Sequence, residues 1–357
     1  MPARSCAPAS IAARTIPGKA EHMDKTSPVI DIHTHFFPES WPDLEKRFGT
    51  PDWPWLKPLG DGKAMVMVGK REFRPIYSAC WDPDKRLEEM DRDGVDLQIL
   101  CATPVLFAYM RPAVQALECA RIFNDAALEL CARGKGRQRA LCQVPLQDTD
   151  AACRELSRCM RAGHVGVQIG NHVGDRDLDD AGIVEFLAHC AAEGAPVLVH
   201  PWDMLGGERT SRHMMGWTVS MPAETQLSIV AMMLGGAFDR LPQSLRICFA
   251  HGGGSFAFLL GRLENAWHNR DIARGVSRSP PSHYLDRFSV DSAVFDERAL
   301  RLLVDVMGEQ RVMLGSDYPF PLGELRVGKL VRESRALGDD ARAKILGRNA
   351  ERFFGLS

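Results

Sequence analysis

Short apolar, β-branched runs alternate with helix-like stretches along most of the chain, and this alternation restricts the possible folds more than any other feature. The strand-like runs cover residues 29–35, 95–101, 139–145, 165–169, 196–200, 246–250, 288–291 and 312–315. Parallel strands need long crossover connections, and the stretches between these runs have helical patterns. Eight strands that alternate with helices predict an α/β protein with a (β/α)8 TIM barrel.

The first of these strands ends in His33-Thr34-His35, where two histidines are one residue apart. Because residues i and i+2 of a strand point to the same face, both imidazoles can reach one point in space. Two ligands on one strand would be the start of a metal site. The same tripeptide is also compatible with two ordinary polar residues in a loop, so the rest of the chain must decide.

Polar residues also follow three later strands. His200 ends the fifth strand, His251 follows the sixth and Asp317 follows the eighth. In a TIM barrel the carboxyl ends of the strands surround the active site, so residues that are distant in sequence can meet there. Four histidines and an aspartate at these ends predict a metal site rather than core packing. His172, just past the fourth strand, is the one other histidine of interest.

A long segment, residues 36–81, interrupts the alternation and is rich in proline and tryptophan. Its runs 64–68 and 73–77 predict a small hairpin around Gly69. A loop of this length in a compact enzyme is usually a lid or a wall of the binding site. We therefore predict a barrel over residues 29–357 with an insertion lobe at 36–81. Residues 1–28 are predicted to be a disordered or misassigned N-terminal extension.

Composition argues against several classes of partner. The chain has 44 Lys and Arg against 46 Asp and Glu, a formal charge of −2, and no basic cluster for nucleic acid or an anionic membrane. No apolar run approaches the roughly 20 residues of a membrane span. The 10 cysteines are scattered without a Cys-x-x-Cys pair. They indicate reduced thiols in a cytoplasmic protein rather than a disulfide framework.

Seven motifs together resemble those of a known family. They are Asp-Ile-His-Thr-His-Phe-Phe-Pro at 31–38, Phe-Arg-Pro at 73–75, Gln-Val-Pro-Leu-Gln-Asp at 143–148, Gln-Ile-Gly-Asn-His at 168–172, His-Pro-Trp-Asp at 200–203, His-Gly-Gly-Gly-Ser-Phe at 251–256 and Leu-Gly-Ser-Asp-Tyr-Pro-Phe-Pro at 314–321. With them the chain resembles the amidohydrolase superfamily over residues 29–354. Within it, the chain is most similar to the α-amino-β-carboxymuconate-ε-semialdehyde decarboxylases.

The resemblance implies that one divalent metal ion is bound by His33, His35, His200 and Asp317. Binuclear relatives bridge two ions through a carboxylated lysine or a glutamate at the end of the fourth strand. Residues 169–171, Ile-Gly-Asn, offer neither group. Imidazole-rich ligation with one carboxylate and an open position favours Zn²⁺, with Mn²⁺ or Co²⁺ as substitutes.

We expect His251 to be a general base beside the metal, since the glycines that follow it let the backbone approach a ligand closely. A further metal ligand is the alternative role. The hypothesis is that hydroxide adds to an electron-poor carbon of the substrate, and that the adduct breaks conjugation next to a carboxylate. Loss of carbon dioxide then expels the added water. Asp317 or His251 would move the protons.

The substrate implied by the resemblance is a small dicarboxylate, so cationic partners are needed. Arginine can bind a carboxylate with two parallel hydrogen bonds, and Arg74 of the insertion lobe can reach the barrel mouth. The resemblance implies that Arg262 enters the site of a neighbouring subunit, which makes a homodimer part of the mechanism. A surface ion pair is the alternative for either arginine. Trp202 and Phe320 are expected to form apolar walls, although core packing explains them almost as well.

Three functions are therefore open. The first is zinc-dependent, non-oxidative decarboxylation of 2-amino-3-carboxymuconate 6-semialdehyde to 2-aminomuconate 6-semialdehyde in tryptophan (kynurenine) or nitroaromatic catabolism. The second is a related decarboxylation of a resorcylate- or carboxyvanillate-type aromatic acid, or an amidohydrolase-type hydrolysis. The third is a catalytically silent barrel that binds partners. The intact set of ligands and base argues against the third.

Overall fold

The computed structural model describes residues 27–356, so the prediction for the N-terminal extension lies almost entirely outside the described residues. The strands are β1 (Ile30–Phe36), β2 (Pro54–Gly60), β3 (Lys63–Val68), β4 (Arg71–Tyr77), β5 (Leu97–Ala102), β6 (Gln138–Ala140), β7 (Val167–Gly170), β8 (His172–Val173), β9 (Arg176–Asp177), β10 (Val197–His200), β11 (Ile247–Phe249), β12 (Ser289–Asp291) and β13 (Val312–Met313). The helices are α1 (Leu44–Phe48), α2 (Pro83–Asp93), α3 (Ala113–Arg133), α4 (Thr149–Ala162), α5 (Ala181–Ala192), α6 (Met221–Leu234), α7 (Ala237–Arg240), α8 (Phe256–Asn269), α9 (Glu297–Met307), α10 (Lys329–Glu333), α11 (Asp339–Ala343) and α12 (Asn349–Phe354).

The predicted barrel is confirmed, with parallel strands that close on themselves. β1 pairs with β5 and β5 with β6, while β7, β10, β11, β12 and β13 pair in that order. Two isolated bridges, Cys142 with Val167 and Thr34 with Tyr318, join the two runs of strands. The backbone N–H of His35 also donates to Tyr318 O at 2.6 Å. The first strand is therefore joined directly to the segment that follows the last.

Apolar side chains fill the barrel and bury the faces of the surrounding helices. The interior cluster contains Ile32, Ile99, Leu198, Cys248 and Met313, each at most 1% exposed. A filled interior is expected for a barrel of this size, which is a packed core rather than a pore. Aspartates cap the first turns of α2, α4, α5 and α9, so the crossover helices begin at defined residues.

The segment between β1 and α2 forms a small antiparallel sheet in the order β2-β3-β4. The predicted hairpin is present, with Val68 opposite Arg71. Strand β2 was not expected, because Pro54 and Pro58 favour a loop. Both prolines are tolerated because β2 is an edge strand, where a missing N–H leaves no ladder bond unmade. The limits of the insertion lobe remain a prediction.

Two further findings concern the described helices and cysteines. None of these helices is both long and apolar enough to cross a bilayer. The cysteines among residues 27–356 are all free thiols, and most are buried.

Some predicted strands are longer than those observed. The third was expected at 139–145 and is Gln138–Ala140, since Cys142 takes part only in an isolated bridge.

Candidate active site

Four side chains singled out in the sequence converge at the carboxyl end of the barrel. Their ligand atoms all lie within 4.8 Å of one another, and they are His33, His35, His200 and Asp317. The Nε2 atoms of His33 and His35 are 3.2 Å apart, and His35 Nε2 is 3.0 Å from Asp317 Oδ1. Strand geometry places the two β1 histidines side by side, as the His-x-His spacing predicted.

The hydrogen bonding of this cluster fits a divalent cation. His200 Nδ1 lies 2.7 Å from Pro201 O, so this nitrogen carries the proton and donates it. His200 Nε2 is then a buried acceptor without a partner among the described residues. Buried polar atoms are rarely left unpaired, and a cation would use this lone pair. Three imidazole nitrogens and a carboxylate are a donor set that suits zinc and neighbouring divalent metals.

Asp291, at the end of β12, supports the cluster from behind. Its Oδ2 is 2.7 Å from His33 Nδ1, and its Oδ1 accepts the backbone N–H of Gly252 at 2.9 Å. This carboxylate fixes the His33 ring so that Nε2 faces the rest of the cluster, and carboxylates commonly orient metal-bound histidines in this way. Burial lowers the pKa of His33, but the hydrogen bond and charge of Asp291 outweigh this and raise the pKa. Sequence analysis missed Asp291, although its position at a strand end was a usable signal.

A second buried carboxylate, Asp31, holds the segment that carries Asp317. Ser316 donates to Asp31 through both its hydroxyl (2.5 Å) and its backbone N–H (3.1 Å). Burial raises the pKa of Asp31 to about 7, even though these hydrogen bonds lower it. Asp317 itself has a left-handed backbone with φ 61°, which is rare outside glycine and costs free energy. The surrounding contacts must therefore impose this conformation.

His251 lies beside the cluster rather than within it. Its Nε2 is 4.0 Å from Asp317 Oδ2, and its ring centre is 5.0 Å from those of His33 and His200. Its Nδ1 is buried without a partner among the described residues. Burial and the nearby charge of His33 lower its pKa, so the neutral imidazole can accept a proton. His251 is not among the four residues whose ligand atoms lie within 4.8 Å of one another, and its role as a base stays a prediction.

A cavity of about 560 Å³ opens above the cluster. Its floor contains His35, His200 and Asp317, and its walls come from four segments outside the barrel strands, which are 68–75 in the lobe sheet, 103–107, 201–221 and 320–322. These walls include Arg71, Phe73, Arg74, Trp202, Met204, Met214, Trp217 and Phe320. The volume is in the range of small-molecule sites. Both predicted wall residues, Trp202 and Phe320, therefore line the cavity.

Arg74 is the half-buried cation of this cavity. It extends from β4, and its guanidinium carbon lies 4.4 Å from the centre of the Phe320 ring and 5.9 Å from that of Trp217. Burial lowers its pKa, an effect opposed by the charge of Asp317. The arginine forms no ion pair within the described chain, so its donors remain available to a carboxylate. Trp217 was not predicted; it lies in a π-helical turn, Gly216–Ser220, that leads into α6.

Arg262 is not brought to this cavity by its own chain. It lies on α8 with an exposed side chain, is absent from the cavity lining, and has no ion pair or hydrogen bond within residues 27–356. His172 also lies outside the lining: its Nδ1 is 2.8 Å from Gly174 O, and its ring packs 5.6 Å from that of Trp202. Its role is to support the wall.

Comparisons with known proteins agree with this architecture. Residues 30–356 match the family model described as amidohydrolase. The chain is 42% identical over 329 residues to 2-amino-3-carboxymuconate-6-semialdehyde decarboxylase of Dictyostelium discoideum, which covers 92% of this chain and 91% of that protein.

Solved structures of lower identity share the fold. The crystal structure of 5-carboxyvanillate decarboxylase from Sphingomonas paucimobilis has a TM-score of 0.77 at 24% identity, covering 93% of this chain and 100% of that one. A dihydroxybenzoic acid decarboxylase from Polaromonas, with bound manganese, has a TM-score of 0.75 at 22% identity, covering 93% of this chain and 98% of that one.

Proposed function

The chain belongs to the amidohydrolase family and is a decarboxylase, and from this premise we propose that it converts 2-amino-3-carboxymuconate 6-semialdehyde to 2-aminomuconate 6-semialdehyde. The observation that carries the proposal is the position of Arg74 in a cavity whose floor is the histidine–aspartate cluster. A cation at that place suits a substrate carboxylate that remains after the reaction. The similarity to the Dictyostelium discoideum decarboxylase supports the same substrate.

The metal in this proposal is Zn²⁺, one per subunit, with Mn²⁺ or Co²⁺ as substitutes. His33, His35, His200 and Asp317 would hold it. A bound divalent ion supplies Lewis-acid chemistry at the cavity floor. Asp291 keeps His33 oriented for this role, and the walls formed by Trp202 and Phe320 exclude water from one side of the substrate.

His251 is the proposed proton carrier. The carbon that loses carbon dioxide must gain one proton, and His251 Nε2, which is not a proposed ligand, lies 4.0 Å from Asp317 Oδ2 beside the cluster. Asp317, 4.0 Å away, stabilises the protonated ring. His251→Ala should reduce turnover by about 10²–10⁴-fold, as for the loss of a general acid–base, with metal content unchanged.

A second carboxylate of the substrate needs a second cation, which we propose is Arg262 of a partner subunit. Arg262 has no partner within the described residues, and Phe258, four residues earlier on the same helix face, is 78% exposed. Ile272 and Val276 add exposed apolar surface after α8, at 87% and 73%. A free arginine beside an apolar surface of this kind supports a homodimer.

Freshly generated semialdehyde tests the substrate proposal. Its absorbance should fall with enzyme loaded with Zn²⁺, and the rate should return after chelation only when metal is added back. His268→Ala, a change on the exposed part of α8, is the matched control for His251→Ala.

A second candidate substrate is a resorcylate- or carboxyvanillate-type acid, which the two structural neighbours named above favour. Consumption of such an acid without the semialdehyde would contradict the first proposal.

Subunit mixing tests Arg262 in trans. His251→Ala and Arg262→Ala proteins should each be nearly inactive as homodimers. A mixed dimer has one site with both native residues if the arginine crosses the interface, so random mixing should restore about a quarter of native activity. No recovery in confirmed mixed dimers would show that Arg262 acts within its own subunit or not at all.

A further inference from the structure

Three neighbouring barrel strands each follow closely after an arginine. Arg246 precedes β11, Arg287 lies two residues before β12 and Arg311 precedes β13. These strands are adjacent and parallel, so their amino ends, and with them the three arginines, lie together on the barrel rim opposite the candidate metal centre. Arg352 of α12 joins them, and all four line a cavity of about 480 Å³, here called the arginine cavity.

The arginine cavity carries an excess of positive charge. Asp286 is the acidic residue among those that line it, and none of the four arginines forms an ion pair within residues 27–356. Some arginines elsewhere in the described chain are paired: Arg158, for example, lies 2.7 Å from Glu155. Four guanidinium groups around one cavity, with Asp286 as the carboxylate in its lining, repel one another, and a bound anion would relieve that repulsion.

Three of the arginines are held in place by hydrogen bonds. Arg246 donates to Phe353 O at 2.5 Å and to Gly194 O, Arg287 donates to Phe238 O at 2.5 Å and to Leu241 O and Pro242 O, and Arg352 donates to Gln310 O and Asn349 Oδ1. Arg311 donates no side-chain hydrogen bond within the described residues, although it is only partly exposed. Burial lowers the pKa of Arg311, and the neighbouring arginines add to that effect while Asp286 opposes it. Arg311 is therefore a partly buried cation whose donors have no partner within residues 27–356.

We propose that the arginine cavity binds a small oxyanion, a phosphate ester or a polycarboxylate, at a site separate from the proposed reaction. The planar guanidinium fork matches the oxygens of both groups. Gln243, Gln310 and Ser289 provide further polar groups in the lining, and the volume accommodates a metabolite-sized ligand. Because the ligand would contact the starts of three strands and α12, its binding should stabilise the closed barrel.

Titration of the full-length, metal-loaded protein tests this site. The probes are glycerol phosphate and tricarballylate, each compared with sodium chloride at equal ionic strength, with calorimetry and thermal unfolding as readouts. We expect saturable binding and a Tm rise of about 3–5 °C at about 100 times Kd. Binding of one probe alone would identify the phosphate or the carboxylate source.

Substitutions inside and outside the arginine cavity test where the anion binds. Arg311→Gln should weaken it about 10–100-fold, whereas Arg298→Gln on exposed α9 should leave it unchanged. Arg352→Gln, at an exposed position on the same cavity, gives the same test if Arg311→Gln does not fold. Absence of saturable binding, or native affinity in the cavity variants, would overturn the proposal. So would loss of binding in Arg74→Gln instead, since that would place the anion in the other cavity.

Discussion

The residues of the candidate metal centre and the residues of the cavity wall above it are held in different ways. His33 is fully buried with its ring fixed by Asp291 at 2.7 Å, and its neighbours come from strand ends. Arg74 comes from the insertion lobe and Trp217 from the segment between β10 and α6, and the Arg74 guanidinium carbon lies 5.9 Å from the centre of the Trp217 ring. The barrel therefore positions the histidine–aspartate cluster, whereas the added segments form the wall of the cavity above it.

Loss of the support behind the cluster should have the largest effect. Asp291→Asn keeps the size of the side chain but removes the charge that orients His33. We expect metal affinity and kcat/KM to fall about 100-fold, measured by metal titration and steady-state kinetics. Asp305→Asn on exposed α9 is the control. Native metal affinity in Asp291→Asn would show that the charge of Asp291 is not needed to orient His33.

Crowding the same region should destabilise the fold. A Cβ added at Gly315 would lie 2.7 Å from Asp291 Cβ and 2.9 Å from His33 Cβ. The added methyl group of Gly315→Ala must therefore displace Asp291 and His33. The expected loss is about 2 kcal/mol in the free energy of unfolding, measured in denaturant. Gly338→Ala meets nothing within 4 Å and serves as the control. Equal stability of the two variants would show that the packing around His33 is loose.

Substitutions in the cavity wall should weaken substrate binding without changing the metal content. Arg74→Gln removes the half-buried cation, and we expect kcat/KM to fall about tenfold through a higher KM. Metal content should not change. Lys57→Gln, on the exposed edge of the same lobe sheet, is the control. Loss of metal from Arg74→Gln would contradict the separation between centre and wall.

The smallest effect is expected at Trp217. This ring is 5.9 Å from the Arg74 guanidinium and lies at the edge of the cavity, so Trp217→Ala should raise KM about threefold by freeing Arg74. Trp55→Ala, which lies outside this cavity, provides the comparison. An unchanged KM would show that Phe73 and Phe320, at 5.3 and 4.4 Å, orient the arginine without Trp217.

The same division explains what the sequence could predict. Each barrel strand has its own apolar pattern, so the eight strands and the residues at their ends, such as His200 and Asp317, could be recognised locally. Asp291 was equally placed but was overlooked, since a single aspartate after a short strand carries no spacing signal of its own. Trp217 and β2 could not be predicted, because loop conformation and edge pairing depend on tertiary contacts rather than on periodicity.

The contact between β1 and the segment after β13 has a consequence for how the protein matures. His35 donates to Tyr318 across this seam, and the proposed ligands on either side of it come from nearly opposite ends of the described chain. A ribosome-bound chain that lacks the segment after β13 would contain the three proposed histidine ligands without Asp317. Metal uptake would thus wait until the segment after β13 has been synthesised, and a bound ion would hold β1 and that segment together.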